Sequence, residues 1–403
     1  MNAVLSLDDI RAAAGALASV AHETPLDGSS TFSEMASRPV YLKLENLQKT
    51  GSFKLRGAYN KIRLLSAAEK TRGVIAASAG NHAQGVAYAA RHAGIRSVIV
   101  MPETAPLSKV SATRGYGAEV VLAGSSYDEA YARAKELEAE EGLTFVHAFN
   151  DPAVMAGQGT IGLEILRQLP EIEAVVVPIG GGGLISGVAT AIKEMAPHIK
   201  VYGVQAEGAD AMARSKTADR LIQTAGASTI ADGIAVKTPG DLTFEVIRKY
   251  VDGIVTIDDE AIASAILMLL ERAKLVVEGA GAIGLAALLH GKIPSQGSVA
   301  CLISGGNIDV NFIARIIERG LVKAGRRVIL TTRVIDRPGS LQKLLASIAA
   351  SRGNVLYVHH DRIQHDVPLG QAKVQVSLET RDTEHTREIL DALQREGYEV
   401  TTN

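Results

Sequence analysis

Lys54 is the residue of this chain with the clearest chemical possibilities, set in Thr50-Gly51-Ser52-Phe53-Lys54-Leu55-Arg56-Gly57-Ala58. The small residues Gly51 and Ser52 and the glycine at 57 leave room for a flat molecule to approach the amine and strip part of its water. Desolvation penalises the ammonium form, lowers the amine pKa and frees the lone pair that attacks a carbonyl carbon. Lysine is ordinarily a solvated surface residue, so the setting carries the argument and the residue type does not. Two glycine-bearing turns supply places for anions. Gly180-Gly181-Gly182-Gly183-Leu184 follows the apolar run Ala174 to Pro178 and precedes the helix-like Ile185 to Ala189. Successive glycines let backbone N–H groups turn inward round one anion, and a helix start adds its positive end. A flexible turn would need fewer glycines, given their entropy cost. Ser78-Ala79-Gly80-Asn81-His82 follows the run Val74 to Ala77 in the same way and adds the Asn81 amide. Alone it would pass for a helix cap; beside the first turn, it lets one site hold a phosphate and the other a carboxylate.

Other clusters carry less. Gly279-Ala280-Gly281-Ala282-Ile283-Gly284 has the spacing of a dinucleotide fingerprint, but no Asp or Glu occurs between Gly279 and Asp309 to hold a ribose. The cluster is therefore expected to serve close helix packing near the site, and a nicotinamide cofactor is set aside. Cys301 lies in the apolar run Val299 to Ile303 and is expected to be a small buried hydrophobe. His359, His360 and His365 lack a matching cysteine or acid set and read as surface residues, while His82 reads as a helix-start residue packed near the ligand.

These residues need a frame. From about Tyr41 to Ile303, β-branched runs (Val74 to Ala77, Arg96 to Met101, Glu119 to Leu122, Ala174 to Pro178, Lys200 to Val204) alternate with helix-period segments such as Asn81 to His92 and Tyr127 to Glu141. That alternation predicts an α/β fold with parallel sheets covered on both faces. Tyr41 to Asn46 alternates like a strand with a polar exit. After the basic stretch Lys323 to Arg327, the order strand (328–334), helix (338–351), strand (355–360), strand (372–379), helix (383–396) and a strand near Val400 fits a ferredoxin-like βαββαβ unit. With 403 residues, 47% hydrophobic, the chain can bury more than one core. Its net charge of −2, with both signs interleaved, offers no stripe for nucleic acid or anionic lipid. The amino-terminal segment turns acidic where a secretory signal would turn apolar, and apolar runs are shorter than the roughly 20 residues a membrane span needs. A cytoplasmic location is expected.

Glu45 to Tyr59, Ser78 to Gly85, Gly180 to Leu184 and Ser304-Gly305-Gly306-Asn307 occur in that order, and together they resemble the fold-type II pyridoxal-phosphate enzymes, most closely the threonine dehydratases (threonine ammonia-lyases). The resemblance runs from about Thr24 to Arg319; the tail, with Asp336-Arg337-Pro338-Gly339-Ser340-Leu341, is similar to an ACT regulatory domain. It implies a tryptophan synthase β-like catalytic domain of two open parallel-sheet lobes over residues 1–321, the small lobe at about 45–147, and an ACT domain at 328–403. It further implies that Lys54 carries pyridoxal 5'-phosphate as an imine and then removes the Cα proton. Phe53 would lie beside the cofactor, Gly180, Gly181, Gly182, Gly183 and Leu184 would bind its phosphate, Asn81 its phenolic oxygen, and Ser304 would face the pyridine nitrogen. Ser78, Ala79, Gly80 and His82, helped by Asn150, would take the substrate carboxylate. A neutral serine at the ring nitrogen draws less charge into the ring than an aspartate would, which favours loss of the β-hydroxyl over transamination.

The expected products are 2-oxobutanoate and ammonia from L-threonine, with pyruvate from L-serine as a secondary activity. Alternatives are a serine racemase, a threo-3-hydroxyaspartate dehydratase, a β-replacement enzyme or a catalytically dead amino-acid sensor. Serine racemases carry a second serine where this chain has Ala79, which argues for elimination. Where some relatives place a metal-binding acid, this chain has Gln205, with Glu207 and Asp210 nearby, and no metal is assigned. The resemblance implies a homo-oligomer, dimer or tetramer, and an amino-acid effector bound near Gly339 and Asn354. Biosynthetic and degradative roles, isoleucine formation among them, stay open.

Overall fold

A computed structural model describes residues 4–402 except Gln364 and Asp366. The chain forms two compact units, Met1–Asp309 and Val310–Asn403. Ten strands belong to the first: β1 (Leu26–Gly28), β2 (Val40–Leu44), β3 (Val74–Ala77), β4 (Ser97–Met101), β5 (Glu119–Leu122), β6 (Thr144–Phe145), β7 (Ala174–Pro178), β8 (Lys200–Ala206), β9 (Gly253–Ile257) and β10 (Val299–Ile303). They build two sheets, β1-β2-β10-β7-β8-β9 and β5-β4-β3-β6. All neighbours pair in parallel except β1 with β2. β3, β4, β7 and β10 are buried along their whole length. Helices cover both faces, which is why these strands read as unbroken apolar runs. Val175, Val177, Ala300 and Leu302 pack with Ile185 and Val188 in one core, and Ala76 and Ile99 with Leu55 and Val86 in the other. The glycine cluster at 279 forms a helix, Gly279–Leu289, and a Cβ at Gly281 would lie 2.7 Å from Val277, as close packing requires.

In parallel sheets, ligands collect beyond the carboxyl ends of the strands. The turn at Ser78 follows β3, the tetraglycine turn follows β7 and Ser304 follows β10. Lys54 opens its own helix, Lys54–Arg63. That helix is fixed by Arg56, two residues on, through a buried ionic cluster. The guanidinium donates to Glu45 (2.8 and 2.7 Å), to Glu164 (2.5 and 3.0 Å), to Thr160 (3.1 Å) and to the carbonyl of His22 (3.1 Å). Lys43 joins it, donating to Glu164 (2.6 Å), Gln168 (3.0 Å) and the Thr24 carbonyl (2.7 Å). Burial opposes the charge on Arg56, but Glu45 and Glu164 outweigh it and hold the proton more firmly. At Lys43 burial wins over Glu164 and the pKa falls. Lys43 and Glu45 are fully buried, so the charges at the polar end of the alternating segment are held inside the protein. Glu164, from the helix Pro152–Gln168, supplies the covering charge.

The second unit carries β11 (Arg327–Ile335), β12 (Asn354–Asp361), β13 (Gln371–Glu379) and β14 (Val400–Thr402) in the antiparallel order β12-β13-β11-β14. Helices Ser340–Ala350 and Thr383–Arg395 pack through Leu344, Ile348, Ile389 and Leu393 onto Leu330, Val374 and Val376. Their placement gives the ferredoxin-like βαββαβ arrangement expected. Among the described residues, no helix is long and apolar enough to cross a membrane.

Candidate active site

Lys54, Phe53, the turn Ser78–His82, Gly180–Leu184 and Ser304 all line one cavity of about 1330 Å³ in the first unit. Two helices begin at its wall without a side-chain cap, Asn81–Ala93 after Gly80 and Gly183–Met195 after Gly182. The N–H groups of a first helical turn have no partner within the helix, so both starts present donors and positive dipole ends to the cavity. The glycines of the larger turn are dictated by their neighbours. A Cβ at Gly181 would overlap the Phe149 ring, one at Gly183 would fall 2.8 Å from Cα of Phe149, and Gly182 adopts φ +100°.

The Lys54 amine donates to the carbonyl of Ala148 at 3.0 Å. Burial pulls its pKa down to about 8 against the opposing charge of Glu278, so a useful fraction is neutral near physiological pH. His82 is buried and its Nε2 donates to the Val146 carbonyl at 2.8 Å; burial and the nearby Lys54 charge push its pKa down to about 3. A neutral ring in that tautomer packs and donates, and does not carry charge. His147 is likewise lowered to about 4, first by burial and then by Lys54, and its Nδ1 accepts the N–H groups of Phe149 (3.2 Å) and Asn150 (2.9 Å).

Asn150 is not among the residues lining this cavity. Its amide donates to Asp241 at 2.6 Å and accepts from the N–H of Leu242 at 3.1 Å, and it borders a smaller adjacent hollow with His147 and Phe149. A competing carboxylate, out of reach of sequence inspection, holds it there. Gln205 is fully buried and spends both ends of its amide internally, accepting from Ala213 N–H (2.8 Å) and donating to the Ile179 carbonyl (3.3 Å). Asp210 pairs with Arg214 at 2.8 Å. Cys301 is buried, and burial pushes its thiol up to about 12. In the second unit Gly339 (φ +88°) precedes the helix Ser340–Ala350 and Asn354 donates to Glu379 at 2.9 Å; both are exposed. His359 and His365 are exposed and His360 is partly so.

Two site residues carry no role in the sequence argument. Asn307 donates to the Asn81 side-chain oxygen (2.7 Å) and to the Thr50 carbonyl (2.8 Å). Glu278 lines the cavity and accepts from Asn81 at 2.6 Å. Asn307 closes the motif Ser304-Gly305-Gly306-Asn307. The signal for Glu278 is an acid immediately before a glycine-rich helix start.

The model of the pyridoxal-phosphate dependent enzymes matches residues 18–305. The chain is similar to an L-threonine ammonia-lyase of Thermotoga maritima, 56% identical over 98% of this chain and 99% of that protein. Among solved structures it resembles a maize serine racemase (39% identical, TM-score 0.75, 79% of this chain and 99% of that one). It also resembles a processed threonine deaminase isoform from Solanum lycopersicum (39% identical, TM-score 0.74, 77% and 87%).

Proposed function

Because the chain belongs to the pyridoxal-phosphate dependent enzymes, we propose that it is a carbon–oxygen lyase that removes water from L-threonine, yielding 2-oxobutanoate and ammonia, with L-serine giving pyruvate as a secondary activity. The relative of nearly equal length named for that reaction supports the choice of substrate. The observation that carries the mechanism is the buried Lys54 amine sharing one cavity with two uncapped helix starts.

The residues fit the cofactor on their own chemistry: an amine whose pKa is lowered to about 8 for its aldehyde, and for its phosphate a glycine turn packed too closely on Ile234, Phe149 and Thr243 to carry side chains. When bound, pyridoxal phosphate supplies an electron sink that makes the substrate Cα–H acidic. Gly180 to Leu184 hold the phosphate through N–H groups and the helix dipole. Asn81 would donate to the phenolic oxygen, Phe53 would wall the cavity beside the ring, and Ser304, just after β10, would offer the ring nitrogen a neutral hydroxyl. Ser78, Ala79 and Gly80, with the backbone N–H of His82, receive the substrate carboxylate at the second helix start, and Asn150 acts on the substrate only if its bond to Asp241 opens. Lys54, once neutral, takes the Cα proton as general base, the Cβ–O bond breaks and the hydroxyl leaves with a proton as water; the released enamine tautomerises to an imine, which takes up one water to give the 2-oxoacid and ammonia. Ala79 has no proton to return to the opposite face of Cα, so elimination is favoured over the racemisation that the maize neighbour is named for. Measuring 2-oxoacid release from L-threonine, L-serine and threo-3-hydroxyaspartate, together with D-serine formation, tests this. Faster D-serine than pyruvate formation would replace the reading.

The catalytic region reaches to about residue 321, its small lobe at about 45–147, and residues 328–403 act as an ACT domain. The βαββαβ order and antiparallel sheet support the latter. A branched-chain amino acid such as valine or isoleucine binds near Gly339 and Asn354 and biases one arrangement of a homo-oligomer. The enzyme works in the cytoplasm.

A further inference from the structure

Glu278 stands at the position before the helix Gly279–Leu289, where an acid would ordinarily cap its own helix, yet its side chain makes no such bond. It reaches instead across the cavity to Asn81, accepting its side-chain N–H at 2.6 Å. The direction of that bond follows from a backbone group. The Thr50 carbonyl can only accept, so the Asn307 amide presents its nitrogen there, and the same nitrogen donates to the Asn81 oxygen. The Asn81 nitrogen is thereby turned toward Glu278. One of its two hydrogens is taken by the carboxylate and the other is left for a ligand in the cavity. Room for the carboxylate is built in, since a Cβ at Gly305 would collide with Glu278 Oε1.

The charged groups acting on Glu278 are Asp232, Lys109 and Lys54. Lys109 and Asp232 pair with each other at 2.9 Å, and among the described residues no ion pair takes Glu278. We infer, resting on the pyridoxal-phosphate site proposed above, that Glu278 is a positioning residue: from the wall of the cavity it shares with Lys54, its carboxylate holds Asn81 with a free N–H toward the cofactor and stands as counter-charge to the ammonium form of Lys54. Burial first, and then the charge of Asp232, push the Glu278 carboxyl up to about 7, against Asn81, Lys109 and Lys54. It is therefore ionised in the range where Lys54 titrates, near 8.

The test uses the full-length chain freed of cofactor. The rate at which added pyridoxal phosphate is captured is followed against pH in the wild type and in Glu278→Gln, which keeps an acceptor for Asn81 but loses the charge. The midpoint is expected to move to lower pH in the variant, because the ammonium form of Lys54 loses its counter-charge. In a double-mutant cycle, Asn81→Ala is expected to weaken cofactor affinity by a factor at least about threefold larger in the wild type than in Glu278→Ala. An unmoved midpoint, or an equal Asn81→Ala effect in both backgrounds, overturns the inference while leaving the site intact. Failure of the wild type to take the cofactor on Lys54 overturns the site itself, and this role with it. Circular dichroism separates both from misfolding, and Glu278→Gln, near-isosteric, carries the decision if Glu278→Ala does not fold.

Discussion

Replacing Gly181 by alanine tests the phosphate cradle at its tightest point. The new methyl would overlap the Phe149 ring, and restoring an ordinary carbon–carbon contact needs the ring to retreat by more than about 1 Å. Phe149 has little freedom to do so. Its own backbone N–H is bonded to His147, whose ring stacks edge-on at 4.6 Å. Overpacking of this kind costs about 1–3 kcal/mol. If the strain is relieved by opening the turn, the loss falls on ligand affinity, an increase in Kd for pyridoxal phosphate of about 5- to 150-fold. Titrating the cofactor-free protein and following visible absorbance measures it. Gly226→Ala is the control, since a Cβ there meets nothing within 4 Å. Phe149→Ala combined with Gly181→Ala should recover part of the loss, because the two sites share one contact. Binding within about twofold of wild type in Gly181→Ala would refute the assignment of this turn to the phosphate.

Three further outcomes are expected. Only the neutral amine attacks an aldehyde, so capture of the cofactor should rise about tenfold per pH unit below the Lys54 midpoint and level off above about 8; a rate independent of pH in stopped-flow measurements would contradict this. Glu164→Gln should cost about 3 kcal/mol in urea unfolding by leaving Lys43 and Arg56 to share Glu45. Lys43 has a folded pKa below its unfolded value, so the unfolded chain binds that proton more tightly and stability rises as pH climbs through the folded value. Removing Glu164 lowers it further, and the deficit should narrow toward alkaline pH; a deficit constant with pH would place the cost elsewhere. Deleting residues 328–403 should abolish any response of the kinetics to valine or isoleucine, and unchanged kinetics with and without either ligand in both forms would remove the regulatory role.

Much of the fold was legible because its signals are local. Continuous apolar runs such as Ala174 to Pro178 mark strands covered on both faces, and glycines after Pro178 and Ala77 mark strand-to-helix turns, so the frame and most of the cavity wall followed from spacing. What escaped depends on partners far along the chain. Lys43 alternates with apolar residues as a solvent-facing position would, and its burial is made tolerable by Glu164, 121 residues away, together with Gln168 and the Thr24 carbonyl. Asn150 sits in a family-like segment, but Asp241, 91 residues on, claims its amide. Glu278 lies beside the glycine cluster set aside as packing, and its bond to Asn81 spans 197 residues.

The proposed chemistry requires that Lys54 carry the cofactor. Borohydride reduction of the protein loaded with pyridoxal phosphate, followed by proteolysis and mass spectrometry, reads it directly. A single phosphopyridoxyl adduct is expected on the peptide containing Lys54, absent in Lys54→Ala; an adduct on another lysine, or none in a loaded wild-type sample, would show that Lys54 does not carry the cofactor.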